Sequence, residues 1–358
     1  MPRFFIFPHK KEKHRMQGCT LCQATAGNVV SRINYIGLQT CDVVQCMNCG
    51  LISYDPIPDL EITARGCELN RILQYTRSSK SRILLGHLRS YRKGGYFARH
   101  YLQKIFNRRD RINILETGAG SGYFSQGIKK VFPNANIHYL DIVQDVVDRY
   151  KAAFECEAVA GEFSAASFRG KKFDLIIARD LIEHLSNPTE FFRDVNASLT
   201  ANGYFFFITP NGRENLWESS QRYLEKDEAS LDYQNHYHFY LPETLDRLLD
   251  IAGFEKKIFF KWGLKRHRRG LGHRRITSFP PIQLPDTGLL ANKQLLTEYT
   301  DHDKNDVFNS WLHGNGLFSS IYSRIVDRLK ERVDYYDFKG HEFFVLAGKT
   351  REAAAGRL

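Results

Sequence analysis

Residues 112–122 read INILETGAGSG, and this stretch decides the fold. A short apolar strand, Ile112–Leu115, runs directly into a turn with glycine at positions 118, 120 and 122. Glycines at a strand-to-helix turn let the backbone bend sharply and approach a ligand that a side chain would block. Ligands of open parallel sheets bind beyond the carboxyl ends of the strands, so this turn is the expected binding position.

Outward from this turn, the pattern alternates between short apolar strands and helices. The predicted strands are Asn136–Leu140, Ala158–Ala160, Phe173–Ala178, Tyr204–Thr209, Lys256–Lys261 and Glu342–Ala347, and the predicted helices are Ser125–Val131, Gln144–Ala153, Pro188–Leu199 and Pro242–Ala252. Strands that alternate with helices of this length indicate a parallel sheet covered on both faces. We therefore predict an α/β, Rossmann-like fold.

Two carboxylates specify the ligand expected at the turn. A dinucleotide-binding turn has the pattern GxGxxG, but Tyr123 stands where the third glycine is required. Glu116 precedes the turn, and a carboxylate there would repel a diphosphate but suit a cofactor that carries an ammonium and a sulfonium. Asp141 ends the second strand, at a distance typical of the acid that binds ribose hydroxyls. Capping of the next helix is the alternative role for Asp141.

These motifs resemble those of the class I S-adenosylmethionine-dependent methyltransferases. The resemblance covers Arg111 to Phe254, with Glu342–Lys349 as the final antiparallel strand. It rests on the segments ILETGAGSG, YLDI, FDLIIARDLIEHL and HFYLPETLDRLLDIAGFE. The implied fold is a seven-stranded methyltransferase sheet.

The resemblance also implies a set of contacts with S-adenosylmethionine. Around the methionine moiety it places Glu116, Gly118, Gly120, Gly122 and Asp180; at the ribose, Asp141; and at the adenine, Ile142, Glu162 and Phe163. Phe163 could equally be a core residue. His184 is common at its position in this family and is more often structural than catalytic.

Four of the seven cysteines form two CxxC pairs, Cys19/Cys22 and Cys46/Cys49. Two such turns complete a tetrahedral thiolate shell, which predicts a structural Zn²⁺ rather than a catalytic one. Cys41 is either a substitute ligand or a small buried residue. Ribbons of this kind occur in nucleic-acid binders, and also at the front of a methyltransferase group similar to the sugar C-methyltransferases.

Tyr233–Tyr240, with the sequence YQNHYHFY, lies where this family places its acceptor substrate. His236 or His238 could serve as the base, since a histidine titrates near neutral pH and can accept a proton, and both are predicted catalytic residues together with Asp180. Alternatively, these side chains anchor the helix that follows. The sugar C-methyltransferases carry Tyr-His-Glu-His in the matching stretch. Asn235 and Tyr237 replace the tyrosine and the glutamate here, which leaves O-methylation open beside C-methylation.

The full organisation predicted from the sequence has five parts. They are a zinc ribbon at 1–58, a helical lead-in and cofactor lid at 59–110, the Rossmann-like core at 111–263, a helical insertion at 264–340, and the final strand and tail at 341–358. No apolar run approaches the roughly 20 residues that cross a bilayer. The apolar Phe4–Phe7 is too short for a signal-peptide core, so a cytoplasmic location is expected.

The function predicted from these features is methylation of a small polar acceptor, such as a nucleotide-linked sugar or a glycan precursor. The formal net charge is +11, and basic residues cluster at Arg77–Arg99, Arg108–Arg111 and Lys261–Arg275. Such clusters suit a phosphorylated acceptor, a nucleic acid or an anionic membrane, or they form a solvated basic face. RNA or tRNA methylation is the alternative. Ala178–Leu181 lacks the Asn/Asp-Pro-Pro-Tyr loop that is typical of base amino-group methylation.

Overall fold

The computed structural model describes residues 13–35, 39–64, 66, 80–212, 215, 236–262 and 342–350. Its strands are β1 Lys13–Arg15, β2 Ala26–Tyr35, β3 Gln39–Cys46, β4 Ile52–Asp55, β5 Asn113–Thr117, β6 Asn136–Asp141, β7 Glu157–Ala160, β8 Phe173–Arg179, β9 Leu199–Pro210, β10 His238–Phe239, β11 Phe254–Trp262 and β12 Glu342–Lys349. Its α-helices are α1 Lys80–His100, α2 Tyr123–Val131, α3 Gln144–Phe154, α4 Pro188–Ser198 and α5 Pro242–Ile251, with 3₁₀ turns at Leu102–Lys104 and Ile182–His184.

The larger sheet has seven strands in the order β11-β12-β9-β8-β5-β6-β7. Strands β5 to β9 pair in parallel, and β12 runs antiparallel to both β9 and β11. The chain starts at the centre with β5, builds outward to β7, and then returns to β8 on the other side. The predicted Rossmann-like methyltransferase sheet is confirmed, and the carboxyl ends of β5 and β8 flank its switch point.

Alternate residues along the central strands point into two separate cores, as the period-two geometry of a strand requires. On β9, Phe205 and Phe207 join the core beneath α4 and α5, whereas Phe206 and Ile208 join the core beneath α1, α2 and α3. All four are 4% exposed or less. This two-sided burial explains why the sequence of β9 reads as a continuous apolar run rather than an alternating one.

A second sheet has five strands in the order β1-β2-β3-β4-β10. Its first four strands form an antiparallel series from the N-terminal region, and the fifth, β10, comes from the predicted core range. Met16, Leu21 and Val44 of this sheet region belong to the same apolar core as α4 and α5. The two sheets therefore share a core.

Helix α1 packs closely on α2, the helix that follows the glycine turn. A Cβ atom on Gly94 would lie 1.9 Å from the carbonyl oxygen of Phe124, and one on Gly127 would lie 1.9 Å from that of Tyr91. Both distances are far below a van der Waals contact. Glycine at these two positions is what allows the helix backbones to touch.

The observed elements extend the predicted ones at several ends. Strand β9 begins at Leu199, before the predicted Tyr204, because Leu199 pairs with Phe173 although the intervening Thr-Ala-Asn-Gly has no strand pattern. The helix before it ends at Ser198 for the same reason. The predicted helical insertion at 264–340 lies outside the described residues, as do positions 77–79 and 263–275 of the basic segments.

Candidate active site

The glycine turn is held open by backbone conformation at all three glycines. Gly118, Gly120 and Gly122 have φ of 58°, 58° and 74°, a backbone region that residues other than glycine rarely adopt. A Cβ on Gly118 would meet Leu181 at 2.8 Å, and one on Gly122 would meet Phe154 at 2.7 Å. A Cβ on Gly120 would meet nothing within 4 Å. Gly120 therefore faces open space at the position predicted for the cofactor.

Glu116, at the end of β5, is completely buried under this turn. Its Oε2 accepts hydrogen bonds from the backbone N and the Oγ of Ser125, at 3.2 and 2.5 Å. Its Oε1 accepts one from Nε of Arg179 at 3.2 Å, and the Arg179 guanidinium lies 4.2 Å from the centre of the Phe124 ring. The carboxylate thus links the turn to α2 and β8. The sequence suggested that the negative charge of Glu116 faces a positively charged cofactor, but in the structure Arg179 neutralises this charge.

Asp141, predicted to bind ribose, lies at the carboxyl end of β6 and is partly exposed. Its Oδ1 accepts a hydrogen bond from the backbone N of Val143 at 3.1 Å. The Tyr150 hydroxyl lies 3.4 Å from Oδ2 and 2.9 Å from the carbonyl oxygen of Gly120. Tyr150 therefore links the two segments that would enclose a nucleoside, and Asp141 also supports the start of α3, as its alternative role required.

The loop after β7 contains the residues predicted at the adenine. Glu162 is exposed, and Phe163 is partly buried with its ring 5.6 Å from that of Phe191, edge to face. Ile142 is partly exposed beyond β6. Because Phe163 packs against the core as well as bordering this edge, its position fits both roles considered for it.

Asp180 follows β8 directly, on the other side of the glycine turn from Asp141. It is exposed and has φ of 50°, a left-handed conformation that is uncommon outside glycine. Its backbone N donates to the carbonyl oxygen of Ile208. The turn brings the next residue, Leu181, against Gly118, so the segment after β8 borders the predicted methionine position.

A cluster that the sequence reading missed lies just beyond Asp180. Glu183 is 1% exposed, and its Oε2 accepts a hydrogen bond from Thr209 Oγ1 at 2.9 Å. Its Oε1 lies 3.9 Å from His184 Nε2 and 4.0 Å from His236 Nε2. Burial and the nearby charge of Asp180 raise the pKa of Glu183 well above its ordinary value. An acid inside the apolar run Leu181–Leu185 is the sequence signal that could have identified it.

The two histidines of the YQNHYHFY segment occupy different environments. The ring of His236 lies 4.9 Å from that of His184, and its Nδ1 lies 3.0 Å from Asn215 Oδ1. The ring of His238 is 2% exposed, stacks on Tyr240, and has Nε2 2.9 Å from Thr20 Oγ1. Burial lowers the pKa of His238 to about 3. Of the predicted pair, His236 lies with Glu183 and His184, whereas His238 joins the segment to the N-terminal sheet.

The four cysteines predicted as zinc ligands come together at one point. All four sulfur atoms lie within 4.8 Å of one another, with Cys19 and Cys49 3.5 Å apart and Cys22 and Cys46 3.6 Å apart. A tetrahedral Zn²⁺ with Zn–S bonds of about 2.3 Å places its sulfurs roughly 3.8 Å apart, so the residues fit the ion. Cys41 is buried elsewhere, against Ile52 and Tyr54.

The thiols compete for protons at this spacing. Hydrogen bonding from Cys49 lowers the pKa of Cys19 to about 5, and the same contact raises the pKa of Cys49. A divalent cation that binds all four sulfurs as thiolates removes this competition.

Among the helices that the structure describes, none combines the length and the apolar character needed to cross a membrane.

Comparison with known proteins gives matches to the part of the chain that contains the glycine turn and most of the seven-stranded sheet. Residues 88–257 match the family model described as "Methyltransferase domain". A malonyl-[acyl-carrier protein] O-methyltransferase 2 from Ilyobacter polytropus is 27% identical over 170 residues, which cover 45% of this chain and 64% of that protein. A Bacillus cereus malonyl-[acyl-carrier protein] O-methyltransferase is 26% identical over 164 residues, covering 43% and 58%. The matched segment thus spans less than two thirds of these relatives.

Solved structures also align with this chain. The plantazolicin methyltransferase BpumL, in complex with a triazolic desmethylPZN analog and SAH, aligns with a TM-score of 0.44 and 14% identity, over 82% of this chain and all of that chain. A SAM-dependent methyltransferase from Archaeoglobus fulgidus aligns with a TM-score of 0.38 and 15% identity, over 72% of this chain and 94% of that chain.

Proposed function

We propose that this chain, which contains a class I S-adenosylmethionine-dependent methyltransferase domain at residues 88–257, methylates a small polar acceptor at the carboxyl edge of its seven-stranded sheet. The observation that carries the proposal is the open space beside Gly120. The carbonyl oxygen of Gly120 accepts a hydrogen bond from the Tyr150 hydroxyl, which also lies 3.4 Å from the ribose-binding candidate Asp141.

In this proposal the cofactor lies along the glycine turn. The carboxylate of Asp141 accepts hydrogen bonds from the ribose hydroxyls, and Ile142, Glu162 and Phe163 border the adenine. The methionine end lies beside Gly118 and Asp180. Glu116 acts indirectly, because its bonds to Ser125 and Arg179 fix the turn against which the cofactor rests. S-adenosylmethionine supplies the methyl group, and the protein supplies its position.

The acceptor lies beyond Asp180, next to Glu183, His184 and His236. Methyl transfer needs the nucleophile in line with the sulfonium carbon, and a hydroxyl nucleophile must also lose its proton. The cluster supplies the groups that promote this loss. His238 positions the segment instead, because it is buried and bonded to Thr20.

A nucleotide-linked sugar or another phosphorylated glycan precursor is the acceptor class that we propose. Lys93, one of the basic residues in the sequence of helix α1, lies close enough to Asp180 for their charges to interact. Charge-assisted hydrogen bonds from such residues would bind phosphate groups. The curated relatives act on malonyl groups held by an acyl carrier protein, so a carboxyl acceptor belongs in the same test.

The cysteine cluster binds a structural Zn²⁺ in this proposal. The thiolate shell is complete with four sulfurs, so no position remains for a substrate. The Cys19–Cys22 turn contains Thr20, whose hydroxyl bonds to His238 and whose carbonyl oxygen accepts a hydrogen bond from Thr189 on α4. The ion would thereby stabilise the Cys19–Cys22 turn, which contacts the acceptor segment through the bond between Thr20 and His238.

Calorimetry with S-adenosylhomocysteine tests the cofactor part of the proposal. Binding by the wild type and at least tenfold weaker binding by Asp141→Ala are expected, while Asp148→Ala, an exposed aspartate on α3, leaves affinity unchanged. A labelled methyl-transfer screen then compares nucleotide sugars, acyl-carrier-linked acids and RNA. A wild-type protein that does not bind S-adenosylhomocysteine contradicts the proposal, and methylation of RNA alone would replace the sugar acceptor with RNA, the alternative acceptor.

A further inference from the structure

We propose that Glu183, His184 and His236 bind a divalent transition-metal ion beside the proposed acceptor position, separate from the cysteine cluster. Each residue offers one ligand atom, and the three atoms lie within 4.8 Å of one another. Two imidazoles and one carboxylate are a donor set that suits Zn²⁺, Fe²⁺ and related ions.

The first observation is the buried, unpartnered oxygen of Glu183. The side chain is 1% exposed, and Oε1 makes no hydrogen bond within the described part of the chain. Thr209 occupies only the other oxygen. A buried carboxylate oxygen that lacks a partner is costly, so the site favours either a proton or a cation at this atom. The raised pKa of Glu183 reflects the same cost.

The second observation is the orientation of His236. Asn215 Oδ1 can only accept, so the hydrogen bond of 3.0 Å places the ring hydrogen on Nδ1. The lone pair is then at Nε2, the atom directed at Glu183 Oε1. Histidines that bind metals usually donate their other ring N–H to a carbonyl or carboxylate in this way. Asn215 therefore stabilises the tautomer that can bind a metal.

The spacing agrees with a metal of ordinary bond length. Oε1 lies 3.9 Å from His184 Nε2 and 4.0 Å from His236 Nε2. A point equidistant from the three atoms lies roughly 2.5 Å or less from each, against metal bonds of about 2.0 to 2.2 Å to such ligands. A shift of a few tenths of an ångström in each side chain would bring all three ligand atoms to bonding distance from the ion. The coordination positions on the opposite side of the ion would remain for acceptor oxygens.

The inference rests on the proposed function for its chemistry. A histidine nitrogen that binds a cation does not accept a proton, so His184 and His236 act here as ligands. An acceptor hydroxyl on the metal loses its proton more readily. The proton leaves to water, the oxygen forms its bond to the methyl carbon, and the bond between that carbon and the sulfonium breaks. No change in oxidation state is involved.

Cobalt titration of the full chain, purified with zinc in its cysteine cluster, tests the site. The wild type is expected to bind one further Co²⁺ without a sulfur charge-transfer band, because the ligands are nitrogen and oxygen. Glu183→Gln and His236→Gln should weaken this binding at least tenfold. His14→Gln is the matched control, since His14 also contacts two carboxylates, Asp42 and Asp55, and should leave it unchanged.

Absence of the further Co²⁺, a sulfur band in its spectrum, or equal binding by the folded Glu183→Gln variant would overturn the metal site. If Glu183→Gln does not fold, the partly exposed His236 decides the matter through its own variant. S-adenosylhomocysteine binding is measured on the same samples. A chain that binds this ligand but no further Co²⁺ refutes the metal inference alone, whereas a chain that binds neither refutes the proposed function as well.

Discussion

The proposed cofactor side, at the ends of β5 and β6, and the proposed acceptor side, after β8, hold their buried acids in opposite ways. On the cofactor side, Glu116 is completely buried and has both oxygens bonded, to Ser125 and to Arg179. On the acceptor side, Glu183 is buried to the same extent but has one oxygen bonded, to Thr209, and the other about 4 Å from two histidines. The first acid is a structural part of its own chain. The second has one oxygen that makes no hydrogen bond within the described residues, and this is the atom that we propose binds a metal ion.

This difference indicates how the two sides prepare for their ligands. The cofactor side is organised by bonds within the protein, since Tyr150 also joins Asp141 to the glycine turn. We expect its geometry to exist before any ligand binds. The acceptor side is organised partly from outside the core, through His238 and Thr20 of the N-terminal sheet. Substitutions on the two sides should therefore have different consequences.

The sharpest test exchanges each buried glutamate for its neutral isostere. Glu116→Gln removes the charge opposite Arg179 and puts amide hydrogens among donors, so it should lower the free energy of unfolding by about 3 to 5 kcal/mol. Glu183→Gln keeps an oxygen for Thr209 and removes a carboxylate whose pKa burial has raised. Without added metal, its free energy of unfolding should stay within about 1 kcal/mol of the wild type or increase.

Urea unfolding at neutral pH measures both variants. The decisive result is which variant loses more free energy of unfolding, and we expect the larger loss in Glu116→Gln. A Glu183→Gln variant as damaged as Glu116→Gln would mean that the acceptor-side acid is also a fixed structural group, and the contrast between the two sides would fail.

Packing between α1 and α2 gives the second test of the cofactor side. Gly127→Ala would put a methyl group 1.9 Å from the carbonyl oxygen of Tyr91, so the helices must separate. We expect a loss of about 2 to 3 kcal/mol and weaker S-adenosylhomocysteine binding, because α2 carries the glycine turn. Gly86→Ala, at an exposed position of α1, is the control, since its new methyl meets nothing within 4 Å.

The control should gain about 0.5 to 1 kcal/mol, as alanine favours a helix over glycine. Thermal unfolding and calorimetry with S-adenosylhomocysteine would measure both glycine variants. If Gly127→Ala retained wild-type stability and affinity, α1 would not be part of the organised cofactor side.

The sequence could predict the cofactor side because its signals are local. The glycine spacing, the acid before the turn and the acid at the end of β6 each follow from one strand and its next residues. Positive φ at three glycines and the exposed position beside Gly120 then agree with the motif. The parallel sheet follows from the alternation of strands and helices, whereas its seven-stranded form with a final antiparallel strand was implied by the resemblance to the class I methyltransferases.

The acceptor side could not be predicted in the same way, because its contacts join distant segments. Glu183, Thr209 and His236 come from three separate stretches, and Thr20 is 218 positions from its partner His238. Nothing in the sequence distinguishes His236 from His238, since a histidine side chain in water titrates near neutral pH. Burial separates them, and burial at this position depends on a strand, β10, that pairs with the N-terminal sheet.

The link between the N-terminal sheet and the acceptor side gives the third test. Thr20→Val removes the hydrogen bond to Nε2 of the buried His238 ring. Because this polar atom then loses its partner, the free energy of unfolding should fall by about 1 to 1.5 kcal/mol. S-adenosylhomocysteine affinity should stay within about twofold, because none of the cofactor-side contacts described above involves Thr20. Thr200→Val, at the far end of β9, removes a comparable bond to Asp174 as the control. Weakened cofactor affinity in Thr20→Val alone would show that the N-terminal sheet supports both sides.

The smallest effect is expected from Tyr150→Phe, which removes one hydroxyl and keeps the ring. That hydroxyl donates to the carbonyl oxygen of Gly120 at 2.9 Å and lies 3.4 Å from Asp141 Oδ2. Stability should fall by about 0.5 to 1 kcal/mol. Binding of S-adenosylhomocysteine should weaken about three- to tenfold, because the ribose acid and the glycine turn are then no longer joined before the ligand arrives. Calorimetry decides between this view and a simpler one: unchanged affinity would mean that the ligand itself aligns Asp141, and that the cofactor side is no better organised in advance than the acceptor side.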